Sequence, residues 1–183
     1  MLRSASQDTF ASAFNHRRLA KKVQEMITLV PFAALLLLGA GCSWFGCVVP
    51  FAAIAASAAL ALRWRSGAAL VVIVWALNQA NGFAFHHYPH SASTYAWGAA
   101  LLVASLAAFA VARVVRVRPI LAQLAAFTSF EVVLMAFSVV LGDWGAYAPV
   151  VLANLLFWNA LWFTLTQAAT SAILRKPIVA AVF

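Results

Sequence analysis

The chain has 183 residues, of which 66% are hydrophobic and 9% charged, where a soluble domain carries roughly 25% charged residues. A mean hydropathy of +0.95 excludes a water-exposed surface over most of that length and leaves no room for a separate soluble domain. The formal net charge is +8, but all 12 lysines and arginines fall in clusters at alternate ends of the apolar segments. That is the positive-inside pattern of a membrane protein, in contact with anionic lipid heads, and it argues against nucleic acid as a partner.

The expected fold is all-α: a polytopic bundle of about six transmembrane helices in one domain, because a span needs roughly 20 apolar residues and six spans use about 120. Helices satisfy their own backbone hydrogen bonds in lipid, and the long unbroken apolar runs do not read as the alternating segments of a β-barrel. The basic clusters place both termini in the cytoplasm, in a bacterial-type inner membrane.

Residues 1–22 carry Arg3, Arg17, Arg18, Lys21 and Lys22, with Phe10, Phe14 and Leu19 on an amphipathic face, and are expected to lie on the inner leaflet. The transmembrane domain follows over 23–174, and 175–183 forms a cytoplasmic tail. Helix one is expected from Val23 to Ala40, with a kink at Pro31. The run Leu35 to Cys42 has the outline of a lipoprotein cleavage signal, but Gly39 stands where that signal has leucine, and a tight outer turn over Gly41 to Cys47 is preferred. Cys42 and Cys47 both belong to this turn. Their spacing allows a disulfide in an oxidising periplasm and equally allows two free thiols.

Helix two continues to Leu62 and contains Ala52, Ala53, Ala55, Ala56, Ala58, Ala59 and Ala61. Small residues let helix backbones approach closely in lipid. The alanines therefore either pack inside the bundle or present a flat face, near Ala52 and Ala56, to another membrane subunit. Arg63 and Arg65 return the chain to the cytoplasm. Helix three, from Gly67 to Phe85, ends in Trp75, Asn78, Gln79 and Asn81. Buried amides need partners, which a bound polar ligand or neighbouring helices would supply.

The outer loop from His86 to Thr94 holds His86, His87 and His90, three of the four histidines. Imidazole ligates zinc, copper or nickel, but Pro89 prevents a simple helical pair, and a solvated or pH-responsive loop is favoured over a metal site. No histidine lies at mid-membrane depth, so no haem pair is evident. No other cofactor is indicated. Helix four runs from Tyr95 to Ala112 and ends at Arg113, Arg116 and Arg118. Pro119 opens helix five, a position proline tolerates, and that helix ends near Leu141. A third outer turn spans Gly142 to Gly145 and includes Asp143. Pro149 begins helix six, which ends before Arg175 and Lys176.

Glu131 sits near the middle of helix five. An ionisable group there costs roughly 2.5 kcal/mol or more and usually faces a cavity or a partner. Ser138 lies about 20° and Thr128 about 60° from it on the helical wheel, giving one polar stripe. Asn159, with Thr166 and Thr170 on the same face of helix six, is a candidate partner, since an amide can donate to a carboxylate. Asn154 lies nearer the outer surface, and Trp158 and Trp162 could wall a pocket. The chain has no nucleotide-binding or protease motif and no nucleophile elbow. With four acids in all, enzymatic function is disfavoured.

In size, six-helix topology and the alanine-rich helix, the whole chain resembles the substrate-capture subunits of energy-coupling-factor vitamin transporters. That resemblance implies a small nutrient ligand, with a membrane coupling subunit and ATPases on other chains. The leading expectation is a protein that binds or transports a small polar solute through an outward-opening cavity, lined by Glu131, Asn78, Gln79, Asn81, Asn154, Asn159 and Trp158. A non-catalytic subunit or assembly factor of a respiratory or photosynthetic complex is the second reading, and a metal-handling protein using the histidine loop is the third.

Overall fold

A computed structural model of the chain describes residues 29–44, 49–142 and 149–174, and these residues fold as helices and short connections without a strand. The helices are α1 (Leu29–Trp44), α2 (Phe51–Ala61), α3 (Trp64–Ala84), α4 (Ala92–Val114), α5 (Pro119–Leu141) and α6 (Pro149–Leu174). The amphipathic segment 1–22, the tail 175–183, Cys47 and Asp143 lie outside the described residues.

Local chemistry sets several of the ends. Pro119 occupies the first turn of α5, where its missing N–H has no helical partner to lose. The same helix stops at Gly142, whose φ of 77° is left-handed and whose N–H donates to the Ser138 carbonyl at 2.8 Å. That is the C-terminal geometry glycine adopts most easily. Ser91 caps α4, its Oγ accepting from the Thr94 N–H at 3.2 Å.

Helices α3 to α6 are long and apolar enough to cross a membrane, at 21 to 26 residues each. Their outer faces expose large apolar side chains, Ile120 at 73% and Val140 at 81% among them. Apolar surface on that scale marks contact with lipid or with other protein, and together with four helices of spanning length it makes the chain an integral membrane protein in contact with the bilayer.

The helices alternate in direction. Ser43, at the end of α1, meets Asn78 and Asn81 near the end of α3. Arg113 of α4 reaches the end of α2 at Ala59 and Leu62. Asn159 and then Thr166 of α6 pass Ala53 and then Ser57 of α2, so α6 runs alongside α2 in the same direction. Arg63, Arg65, Arg113, Arg116 and Arg118 therefore gather at one end of the bundle, called here the arginine end. The histidine loop marks the other.

Two segments differ from the sequence reading. Cys42, expected in an outer turn, is instead buried within α1, which continues to Trp44; its pairing with Cys47 lies outside the described residues. More consequentially, the second span is an 11-residue helix, which at 1.5 Å per residue reaches about 17 Å, near half of a hydrocarbon core of roughly 30 Å. It begins beside the middle of α5 and α6, where Phe51 stacks on Phe130 with ring centroids 6.2 Å apart, and it ends at the arginine end.

This short helix is the centre of the bundle. It packs against α3, α4, α5 and α6, and Ala52, Ala55, Ala56, Ala58 and Ala59 have no exposed surface. The alanine face proposed around Ala52 and Ala56 as a docking surface for another subunit is therefore already covered. Small side chains on every side let four longer helices close around it. Gly67 of α3 belongs to the same packing, for a Cβ built there would come within 2.5 Å of the buried Phe109 ring. Gly67→Val is expected to destabilise the protein by about 1–3 kcal/mol through overpacking, read as a lower unfolding temperature of the detergent-purified protein.

Candidate functional site

A half-length helix inside a bundle leaves space beyond its first residue and exposes backbone donors that water cannot serve. Both consequences are visible. The Ala53 N–H donates to Asn159 Oδ1 at 3.1 Å, so an amide from α6 caps α2 from the side. Asn159 Nδ2 donates to the Leu155 carbonyl of its own helix at 3.0 Å. The expected pairing of Asn159 with Glu131 is thus replaced: the amide, only 6% exposed, accepts from one backbone group and donates to another. At the opposite end, Arg113 Nη1 donates to the Ala59 carbonyl at 2.8 Å and to the Leu62 carbonyl, a cation against a helix C-terminus.

Beyond the start of α2 lies a cavity of about 340 Å³, lined by Val49, Phe51, Asn78, Tyr88, Leu101, Phe130, Glu131, Leu134, Leu155 and Asn159. Three of the site residues expected from sequence, Glu131, Asn78 and Asn159, share its wall. Tyr88 comes from the histidine loop and is 43% exposed, so the cavity borders the surface at the histidine end. The Glu131 carboxylate makes no hydrogen bond or ion pair among the described residues, although it stands halfway along a membrane-spanning helix. The polar stripe proposed around it does not form: Thr128 is exposed on the outer face of α5, while Ser138 is fully buried, its hydroxyl without a hydrogen-bond partner.

The remaining candidates lie elsewhere. Asn154 and Trp158 are exposed on α6 and take no part in the cavity wall. Asn81 Nδ2 donates to the Ser43 carbonyl, and Ser43 Oγ donates to Asn78 Oδ1 at 3.3 Å, so these amides join α1 to α3. Gln79 packs over Gly98, where an added Cβ would sit 2.8 Å from its Oε1, and its buried Nε2 has no partner. Asn78 alone of the three also faces the cavity.

The histidine loop folds back on the ends of α3 and α4. The His90 ring stacks on Phe83 at 5.1 Å, and His90 Nδ1 is hydrogen-bonded to the Tyr95 hydroxyl at 2.8 Å. His87 turns the chain with a left-handed φ of 52°. Among the described residues no three His, Cys, Asp or Glu side chains converge as metal ligands. The expected trio His86, His87 and His90 does not cluster, because His90 is drawn onto the aromatic group of Phe83 and Tyr95.

Sequence reasoning missed Val49, Tyr88, Phe51, Leu101, Phe130, Leu134 and Leu155. Two of these were reachable by helical spacing: Leu134 follows Glu131 by three residues and Leu155 precedes Asn159 by four, so each shares its partner's face. Tyr88 depends on the loop fold, which no local pattern announces, and Phe51 on where α2 begins, for which Pro50 is a local hint. Comparisons with family models, curated proteins and solved structures yield no match for this chain.

Proposed function

We propose that the protein binds a small polar solute in the cavity at the start of α2 and carries it across the membrane, with the histidine end outward and the arginine end in the cytoplasm. The observation that supports this most strongly is Glu131, a carboxylate without a protein partner in the wall of a cavity halfway along the bundle. Intramembrane acids are costly and mark binding sites and ion pathways. Helices that begin partway through the bilayer recur at transporter binding sites, because their ends leave backbone polar groups and room for a ligand. The cavity volume falls near the lower end of the range for small-molecule sites, roughly 300–1,000 Å³. Polar groups are few and the rest of the wall is apolar, as such sites require. The distribution of arginines supports the orientation, with both termini on the cytoplasmic side of a bacterial-type inner membrane. If the likeness to substrate-capture subunits extends to mechanism, the energy source resides on partner chains.

The test is mass spectrometry of small molecules released from the purified protein. A solute is expected with the unaltered chain and is lost in Leu101→Trp, which fills the cavity, and in Glu131→Gln, which removes the charge. Equal retention by both variants and the unaltered protein would overturn the reading.

A further inference from the structure

The chemistry of the cavity wall narrows the class of solute, an inference that rests on the binding reading above. Glu131 is the one charged side chain in the wall, and no lysine, arginine or histidine accompanies it. The other polar groups are neutral and several are already engaged. Asn159 is committed to Ala53 and Leu155, and Asn78 Oδ1 accepts from Ser43. At the start of α2, the Phe51 N–H donates to the Val49 carbonyl at 2.8 Å and the Ile54 N–H to the Pro50 carbonyl at 3.0 Å. Asn78 Nδ2 and the Tyr88 hydroxyl remain as neutral donors, but the wall holds no cationic group to pair an anionic ligand, while the Glu131 carboxylate makes no hydrogen bond or ion pair among the described residues. Around it stand the stacked pair Phe51 and Phe130 and the Tyr88 ring.

We infer that the cavity selects a small organic monocation, an ammonium group carried on a compact apolar body. A carboxylate paired with a cation is the arrangement in which a charge at this depth is compensated. Aromatic faces add cation–π attraction, worth more where water is excluded. A second anion would meet the Glu131 charge, and a neutral solute of the same shape would leave it unpaired. The free end of α2 opposes this selection with its partial positive charge, but that terminus is capped by a neutral amide and its field falls off within a turn. The apolar walls formed by Leu101, Leu134 and Leu155 fit the body of the ligand rather than a hydrated metal ion, which demands several oxygen ligands.

The experiment measures binding to the full-length protein in neutral detergent at fixed ionic strength, using matched probes that differ in charge. Choline is compared with 3,3-dimethylbutan-1-ol and 3,3-dimethylbutanoate, and benzylammonium with benzyl alcohol and benzoate. At least one cation is expected to raise the unfolding temperature in a saturable way, and its neutral and anionic counterparts are not. Glu131→Gln is expected to weaken cation binding by about 30-fold or more, the effect of removing one member of a buried charge pair, while Glu131→Asp retains part of it. If the neutral or anionic probes bind as well as the cations, or Glu131→Gln leaves cation binding intact, the charge selection is wrong and the solute-binding reading survives. If cations bind equally to the Leu101→Trp variant, they bind outside the cavity and the inference is overturned, while solute binding is decided by retention of the co-purified molecule. If no cation binds, or the co-purified solute is neutral or anionic, the inference is overturned, and in the latter case solute binding itself stands.

Discussion

Arg113→Leu is expected to lower the unfolding temperature of the purified protein further than any other substitution among the arginines. Its guanidinium closes α2 by donating to the carbonyls of Ala59 and Leu62. The last carbonyls of any helix lack partners within the helix, and Leu62 is only 4% exposed, which limits replacement by water. An unsatisfied buried group costs about 1–3 kcal/mol, and loss of a cation from a helix C-terminus adds about 0.3–1 kcal/mol. Two carbonyls and the dipole together give a destabilisation of about 2–7 kcal/mol. Arg113→Lys should fall between, because an ammonium keeps the charge but ends a shorter side chain and lacks the planar guanidinium that holds Nη1 against both carbonyls. Arg116 belongs to the same basic cluster, is exposed and makes no such bond, so Arg116→Leu is expected to change stability by less than about 0.5 kcal/mol. Equal melting of Arg113→Leu and Arg116→Leu would mean that both residues serve orientation alone.

That contrast bears on what the amino-acid sequence discloses. Positive-inside counting treats Arg113, Arg116 and Arg118 alike, since it depends on charge near a helix end and not on what the side chain touches. The bundle singles out Arg113 because α2 stops beside it. The ends of α5 and α6 are legible for the opposite reason: Pro119, Gly142 and Pro149 act on the backbone within one or two residues, so their effect is local. Glu131 is legible from its cost in lipid as a residue that faces a cavity, and it lines the one beside α2. Its expected partner is not, because Asn159 faces two claimants, a carboxylate and a helix start, and the half length of α2 decides between them. Pro50 was the available hint, lacking an N–H and standing directly before the alanine run. An apolar segment that is small-sided all round, without a leucine-rich lipid face, was the other.

Ala56→Leu tests the central place of α2 most severely. The residue has no exposed surface, on a helix enclosed by α3, α4, α5 and α6, and a leucine adds three carbons where close backbone approach leaves no gap. Overpacking of this kind costs about 1–3 kcal/mol and occasionally more. The upper part of that range is expected here, because displacement in one direction moves α2 against another helix. Ala99→Leu supplies the comparison: Ala99 is exposed on α4, its added carbons enter lipid, and stability should change by less than about 0.5 kcal/mol. A docking face for a partner subunit would give the reverse pattern, with Ala56→Leu leaving the isolated chain as stable as before and weakening only an assembly. The same variant reaches the cavity, since Phe51 and Val49 at the start of α2 form part of its wall. A shifted α2 should therefore reduce solute retention together with stability, whereas Glu131→Gln should reduce retention and leave the unfolding temperature of the empty protein near or above its original value, because an unpaired carboxylate is removed. Stability and binding falling together in one variant and separating in the other is the signature of a site built on a buried half-helix.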